Sequence, residues 1–281
     1  MSDHPLQQPE PNAPLLQQFL RAYHINTVQP PLEVLTDVVR AFAQLPFENL
    51  TKIIKDAEAG RAEQARRTPT EVLTDHWALG TGGTCFALTS ALLYLIRALG
   101  WQAQPILADR RYGADTHSAL LVWIDGKPHL LDPGYLIVRP LPLPTAGEMR
   151  IETPFNQLLL TAKDAGSKVE LRTIQQKQTT YRLTFKTNPV DAGEFLRAWD
   201  TSFDAEMMRY PVLSRVAGNQ QIYLQKRHLL IRGEETECKE LPPDRLIAEI
   251  ARQFHIAPEV VARALGVLQR QGDLHGTAAN R

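Results

Sequence analysis

The chain changes its hydrophobic period once, after Trp101, and that change limits its fold more than any other feature. Upstream, apolar residues recur at helical spacing. Leu32, Leu35, Val38, Val39, Phe42 and Leu45 make one face of a segment opened by Pro30 and Pro31 and closed by Pro46. Cys85, Leu88, Leu92, Leu95, Ile96 and Leu99 make another, stopped by Gly100. Ala87, Ala91 and Tyr94 lie on its other side, which predicts a helix buried almost all round. Further helices are expected over residues 15–25 and 69–79. Downstream the period becomes two. Residues 104–108, 118–124, 129–131, 157–161, 169–174 and 180–187 read as strands, separated by turn residues such as Asp125-Gly126 and Gly166-Ser167. Short strands at this spacing predict a small antiparallel barrel or a curled sheet, with the stiff run RPLPLP over 139–144 crossing it.

Asn188-Pro189 ends the strand pattern and starts a third segment. It has a helix near 192–199, strands near 221–225 and 228–232, and helices over 243–254 and 258–271. The expectation is an α+β fold: residues 1–14 disordered, 15–100 a helical bundle, 101–187 the β-barrel, 188–271 a third α/β segment and 272–281 a flexible tail. A length of 281 residues suits one large domain or two to three small subdomains. Residues 55–68, KDAEAGRAEQARRT, carry no apolar stripe and read as a solvated loop or exposed helix whose arginines need no partner.

The charge balance excludes several partners. With 31 basic and 31 acidic residues nothing draws the chain to nucleic acid or an anionic membrane. A helix-turn-helix reader in the last two helices would offer only Arg263 and Arg270, so ordinary packing is preferred. No apolar run reaches the roughly 20 residues of a membrane helix, and the polar start MSDHPLQQPEPNAP lacks a signal-peptide pattern. A cytoplasmic protein with small-molecule partners is expected, its two cysteines free and Cys238 a surface thiol in the charged loop GEETECKELPPD.

Cys85 is the candidate nucleophile. Gly80, Gly82 and Gly83 precede it, Thr84 suits an N-cap, and a thiol in the first turn of a helix is biased toward thiolate by the positive end of the dipole. The hairpin THSALLVWIDGKPHLLDPG supplies partners. If Asp125-Gly126 is a two-residue turn, Asp132 lies opposite Ala119 and diagonal to His117 on one face, within reach of a hydrogen bond; a longer turn changes that parity. Singly, each residue has an ordinary structural reading. Together, behind a glycine turn, they have the parts of a Cys-His-Asp site in which His117 takes the thiol proton and Asp132 orients the ring. No second Cys or His lies at ligand spacing from Cys85, so no metal is expected.

These residues resemble the arylamine N-acetyltransferases. That family's motifs are Pro-Phe-Glu-Asn, Arg-Gly-Gly-x-Cys-Phe, Thr-His and Asp-Val-Gly-Phe-Gly. In the same order this chain has Pro46-Phe47-Glu48-Asn49, Gly82-Gly83-Thr84-Cys85-Phe86, Thr116-His117 and Asp132-Pro133-Gly134-Tyr135. The resemblance runs from about Leu16 to about Leu268 and is similar in layout to the family's helical bundle, β-barrel and C-terminal α/β lid; Asn188 and Phe254-His255-Ile256 match weaker landmarks in the lid. It implies a ping-pong acyl transfer with catalytic Cys85, His117 and Asp132. Phe47, Gly83, Phe86, Thr116, Gly134 and Tyr135 would lie at substrate or coenzyme A, acetyl-coenzyme A would be a co-substrate with no permanently bound cofactor, and a small aryl amine or hydrazine would be the acceptor. Thr81 departs from the motif's arginine and Leu136 from its second glycine, and the segment between Cys85 and His117 is short. The Leu-Asp-Pro end of the hairpin is also similar to transglutaminase-like proteins. An amide synthase or transglutaminase-like acyltransferase, and a binding protein that kept this fold without turnover, are the alternatives. Oligomeric state is not written in these residues.

Overall fold

Proline and glycine set many of the element ends in the computed structural model, which describes residues 4–135, 137–153, 156–175, 178–233 and 235–272. In chain order the helices and strands begin α1 (Pro14–Ala22), α2 (Pro31–Phe42), β1 (Phe47–Glu48), α3 (Leu50–Ala59), α4 (Ala62–Ala65), α5 (Pro69–Leu79) and α6 (Cys85–Ala98). Strands follow: β2 (Ala103–Arg110), β3 (Gly113–Ile124), β4 (Lys127–Asp132), β5 (Ile137–Pro142), β6 (Glu148–Glu152), β7 (Gln157–Lys163), β8 (Lys168–Gln175) and β9 (Gln178–Lys186). The chain ends with α7 (Ala192–Thr201), β10 (Val212–Ala217), β11 (Gln220–Gln225), β12 (His228–Arg232), β13 (Thr236–Glu240), α8 (Leu246–Phe254) and α9 (Pro258–Arg270). Pro14, Pro31 and Pro258 each sit in a first helical turn, where the missing N–H costs nothing. Left-handed Gly60 and His255 cap α3 and α8.

Two compact units interleave along the chain. The first comprises Met1–Gln44, Thr68–Thr70 and Cys85–Trp199. Its sheet is antiparallel, in the order β5-β4-β3-β2-β9-β8-β7-β6. Among the described residues the order ends on edges β5 and β6, so the sheet is open. Ile106, Leu121, Leu130, Leu160, Leu171 and Phe185 fill its apolar face, each fully buried Leu or Ile giving about 1.5–3 kcal/mol relative to exposure. The helix that begins at Cys85, α6, is buried at every position except Arg97, as its two-sided apolar pattern requires. Ahead of α1, the Asn12 N–H donates to the Ala98 carbonyl (2.9 Å) and Ser90 Oγ donates to the Pro5 carbonyl.

The second unit comprises Leu45–Arg67, Glu71–Thr84 and Asp200–Arg281. It has a five-stranded antiparallel sheet in the order β1-β10-β11-β12-β13. One core joins Leu50 and Ile53 of α3, Leu213 and Leu224 of the sheet, Ile250 of α8 and Val261 of α9.

The structure corrects several local readings. RPLPLP is not only a crossing, because its first residues belong to β5, an edge strand where missing proline N–H groups spare the ladder. Cys238 is exposed but lies on edge strand β13 rather than in a loop; its polar neighbours hid the strand because both faces are solvated. β6 and β10 were not legible as strands, and the helical bundle is interrupted by β1. Residues 55–68 hold α4 and two paired arginines instead of a solvated run. Leu136 and the tail from Asp273 on lie outside the described residues.

Candidate active site

The Asp125-Gly126 turn fixes the register of the hairpin that carries the site. Both residues have positive φ, 50° and 72°, the pair of values a tight two-residue turn needs and which Asp and Gly tolerate. Ile124 therefore pairs with Lys127 and Leu120 with Leu131, which carries Asp132 opposite Ala119 and diagonal to His117. His117 Nε2–H donates to Asp132 Oδ2 at 2.7 Å, and both side chains are 0% exposed. Asp132 Oδ1 accepts from the Tyr135 N–H at 2.9 Å, so the turn after β4 anchors the carboxylate. The carboxylate is thus held at both oxygens. On the other side of the ring, Arg110 Nη2 lies 2.8 Å from His117 Nδ1.

Cys85, the first residue of α6, faces this group. Burial pushes its thiol up, but the charge and hydrogen bond of His117, then Arg110 and the backbone of Ser118, outweigh burial and bring it down to about 7. Burial lowers His117 and Arg110 opposes its charge, but the charge and hydrogen bond of Asp132 together with the charge of Cys85 outweigh them and raise it to about 9. The two groups therefore favour a thiolate and imidazolium pair. Gly134 is glycine for a steric reason: a Cβ there would lie 3.0 Å from Cys85 Cβ and 3.1 Å from His117 Cε1.

The glycine turn that leads into Cys85 is held within the second unit. The Gly82 N–H donates to Glu48 Oε1 (3.3 Å), and its carbonyl accepts from Arg67 Nη1. The Gly83 N–H donates to the Pro46 carbonyl (3.3 Å), and its own carbonyl accepts from the Glu48 N–H (3.0 Å). A Cβ on Gly82 would sit 1.8 Å from the Pro46 carbonyl oxygen, so no other residue fits. Glu48, 0% exposed, also accepts from Thr51 N–H and Oγ1, while Arg67, 3% exposed, donates further to Thr51 Oγ1, the Glu71 carbonyl and Asp75. Sequence reasoning missed Arg67, and it named Glu48 only as part of a motif, without its buried role. Their signal was the Pro46–Asn49 segment, whose glutamate needs a buried cation.

The N-acetyltransferase family model matches residues 31–260. This chain belongs to the arylamine N-acetyltransferase family. No curated protein matches it in sequence. The arylamine N-acetyltransferase of Mycobacterium marinum is 21% identical over 92% of this chain and 98% of its own, with a TM-score of 0.72. That of Nocardia farcinica is 21% identical over 95% and 100%, with a TM-score of 0.75. The M. marinum protein solved in complex with CoA is 22% identical over 92% and 98%, with a TM-score of 0.72. At these identities the likeness is one of fold.

The family motifs fall in distinct places. Cys85, His117, Asp132, Gly134 and Tyr135 come together in the first unit. Thr116 is beside His117 on β3, its hydroxyl donating to the Gly113 carbonyl (3.1 Å). Phe86 points into the core instead, stacked on Trp199 (6.0 Å between ring centres) and edge-on to Phe195 (5.4 Å). Phe47 and Gly83 are bridged to each other in the second unit, where Phe47 pairs with Ser214 of β10. Thr81, at the motif's arginine position, is fully buried, and its carbonyl meets His76 Nδ1 at 2.8 Å. The guanidinium against this turn comes from Arg67 instead.

Proposed function

We propose that this protein moves an acetyl group from coenzyme A to an aryl amine or hydrazine through an acyl-enzyme on Cys85. The observation that carries this reading is the hydrogen-bonded pair of buried His117 and Asp132 beside a cysteine whose thiol is brought down to about 7. The thiol S–H bond breaks as its proton passes to His117, and the thiolate attacks the thioester carbonyl. Coenzyme A departs as thiolate and takes the proton from the imidazolium. The amine then attacks the acyl-enzyme while His117 accepts its proton, the amide leaves, and Cys85 is released. Unpaired N–H groups in the first turn of α6 would stabilise the tetrahedral oxyanion of each half-reaction.

Incubation with acetyl-coenzyme A followed by intact-mass measurement tests the proposal. One acetyl increment is expected on the wild type, lost on adding an aryl amine and absent in Cys85→Ala. Wild type that stays unmodified overturns acetyl transfer from this donor; an adduct formed only from another thioester would turn the reading to an amide synthase.

A further inference from the structure

Arg110 closes β2 beside the site, and neither the family motifs nor the proposed reaction gives it a task. Its Nη2 lies 2.8 Å from His117 Nδ1, the nitrogen left over once Nε2 donates to Asp132. A guanidinium only donates, so this contact is a hydrogen bond only while Nδ1 is bare. Arg110 Nε is buried and has no partner among the described residues. A buried donor left unsatisfied is costly, and a cation carrying one is poised to take a new acceptor.

We propose that Arg110 is a positioning residue for the proton of the acyl-transfer site, holding His117 as the neutral, Nε2-protonated tautomer whose bare Nδ1 serves as base. Asp132 fixes the ring from one side by accepting, and Arg110 fixes it from the other by donating. Together they admit a single neutral tautomer. The inference rests on the acyl-transfer reading for its purpose but not for its geometry.

Proton placement follows from charge. The groups facing His117 are Asp132 from β4, Arg110 from β2 and Cys85 from α6, and Arg110 also meets Tyr112 from the β2–β3 turn. In the free enzyme the Cys85 proton moves to Nδ1. The guanidinium, displaced from that nitrogen by the new N–H, remains as a cation beside the thiolate. In the acyl-enzyme the sulfur is neutral, and the counter-ion that would keep His117 protonated is gone. Arg110 then opposes the pull of Asp132 and keeps the ring free to accept the proton of the attacking amine. One fixed cation serves both half-reactions.

Two measurements test this. The rate of Cys85 alkylation by iodoacetamide against pH needs no acyl donor. In Arg110→Met its acid limb should move up by about one pH unit, roughly tenfold less reaction at the foot of the limb, because a cation that favours proton loss is removed. Arg110→Lys should stay close to wild type. An Arg110→Met limb that superimposes on wild type, with an unchanged thermal melt, overturns the proposal. The second measurement needs no change at Arg110: ¹⁵N-histidine NMR of Cys85→Ala, whose nitrogen shifts should show bare Nδ1 and protonated Nε2 at about pH 8. Two protonated nitrogens, or a proton on Nδ1 alone, overturns it. Failure of acetyl-coenzyme A to acylate Cys85 would sink the proposed function and leave both readouts intact.

Discussion

The chain places one arginine beside buried Glu48 and another across the His117 ring from buried Asp132, and the two are finished differently. Arg67 spends both terminal nitrogens on fixed acceptors: its guanidinium donates to the Gly82 and Glu71 carbonyls, to Thr51 and to Asp75, with Glu48 3.9 Å away. Arg110 has an unpartnered Nε and spends Nη2 on a ring nitrogen whose lone pair is needed elsewhere. A buried cation whose terminal nitrogens are both spent on fixed acceptors holds its surroundings in place. One with an unpartnered donor beside a titratable ring can exchange partners when a proton moves. The difference separates a clamp on the glycine turn from a participant in proton placement.

The sharpest way to test the contrast is at the two carboxylates' ends. Asp132→Asn replaces the acceptor that selects the His117 tautomer, and acetyl turnover should fall by on the order of 10⁴, as for a triad with its ring in the wrong tautomer. Its thermal melt should move little by comparison. Steady-state rates and melts on one preparation decide this; a large loss of stability with a small loss of rate would place Asp132 with the clamp. Arg67→Met should behave oppositely. It leaves Glu48 buried without its cation, a change that costs about 3–5 kcal/mol, read by denaturant titration. A stable Arg67→Met variant would remove the distinction.

Stability against pH separates the clusters next. His117, raised to about 9, contributes stability that is complete below its unfolded value of 6.5 and is lost as pH rises through about 9. Cys85, lowered from 9.0 to about 7, contributes stability that is complete above 9.0 and is lost as pH falls through about 7. From about 7 to 9 the two slopes are opposite and cancel, so wild-type stability should be level there. Cys85→Ala removes the rising part together with the thiolate that helps to hold the His117 proton, so its curve should stay level from about 7 to 9. A Cys85→Ala stability that declines with pH there, by up to about 1.4 kcal/mol per unit, would show that His117 keeps an extra proton without its thiolate. The smallest effect is expected for Gly134→Ala, whose Cβ meets Cys85 and His117 at 3.0 and 3.1 Å. A displacement of a few tenths of an ångström should cost about 1 kcal/mol, seen as slower Cys85 acetylation with the melt retained.

Much of the site was legible because its geometry is local. A two-residue Asp125-Gly126 turn sets the parity, parity puts Asp132 on the face of His117, and a glycine turn before an apolar helix exposes a thiol to a helix start. Period likewise located most strands of the large sheet. What stayed hidden depends on long-range partners. Arg67 sits in a polar run whose composition reads as solvent-facing, yet it is 3% exposed because Glu48 and the Gly82 carbonyl come to it from distant positions. Phe86, adjacent to Cys85 in sequence, was expected at the substrate, but helix rotation turns it to Phe195 and Trp199.

The sequence by itself determined the α+β alternation, the register of the hairpin and the identities of a cysteine, a histidine and an aspartate able to act together. These follow from local rules of period, turn and spacing. Only the tertiary structure decided what surrounds them. Burial and opposed charges set the thiol near 7 and the imidazole near 9, Gly134 leaves room for both, and Arg110 from the neighbouring strand claims the ring's second nitrogen. Those effects depend on distance and desolvation, which exist only once separated segments have packed.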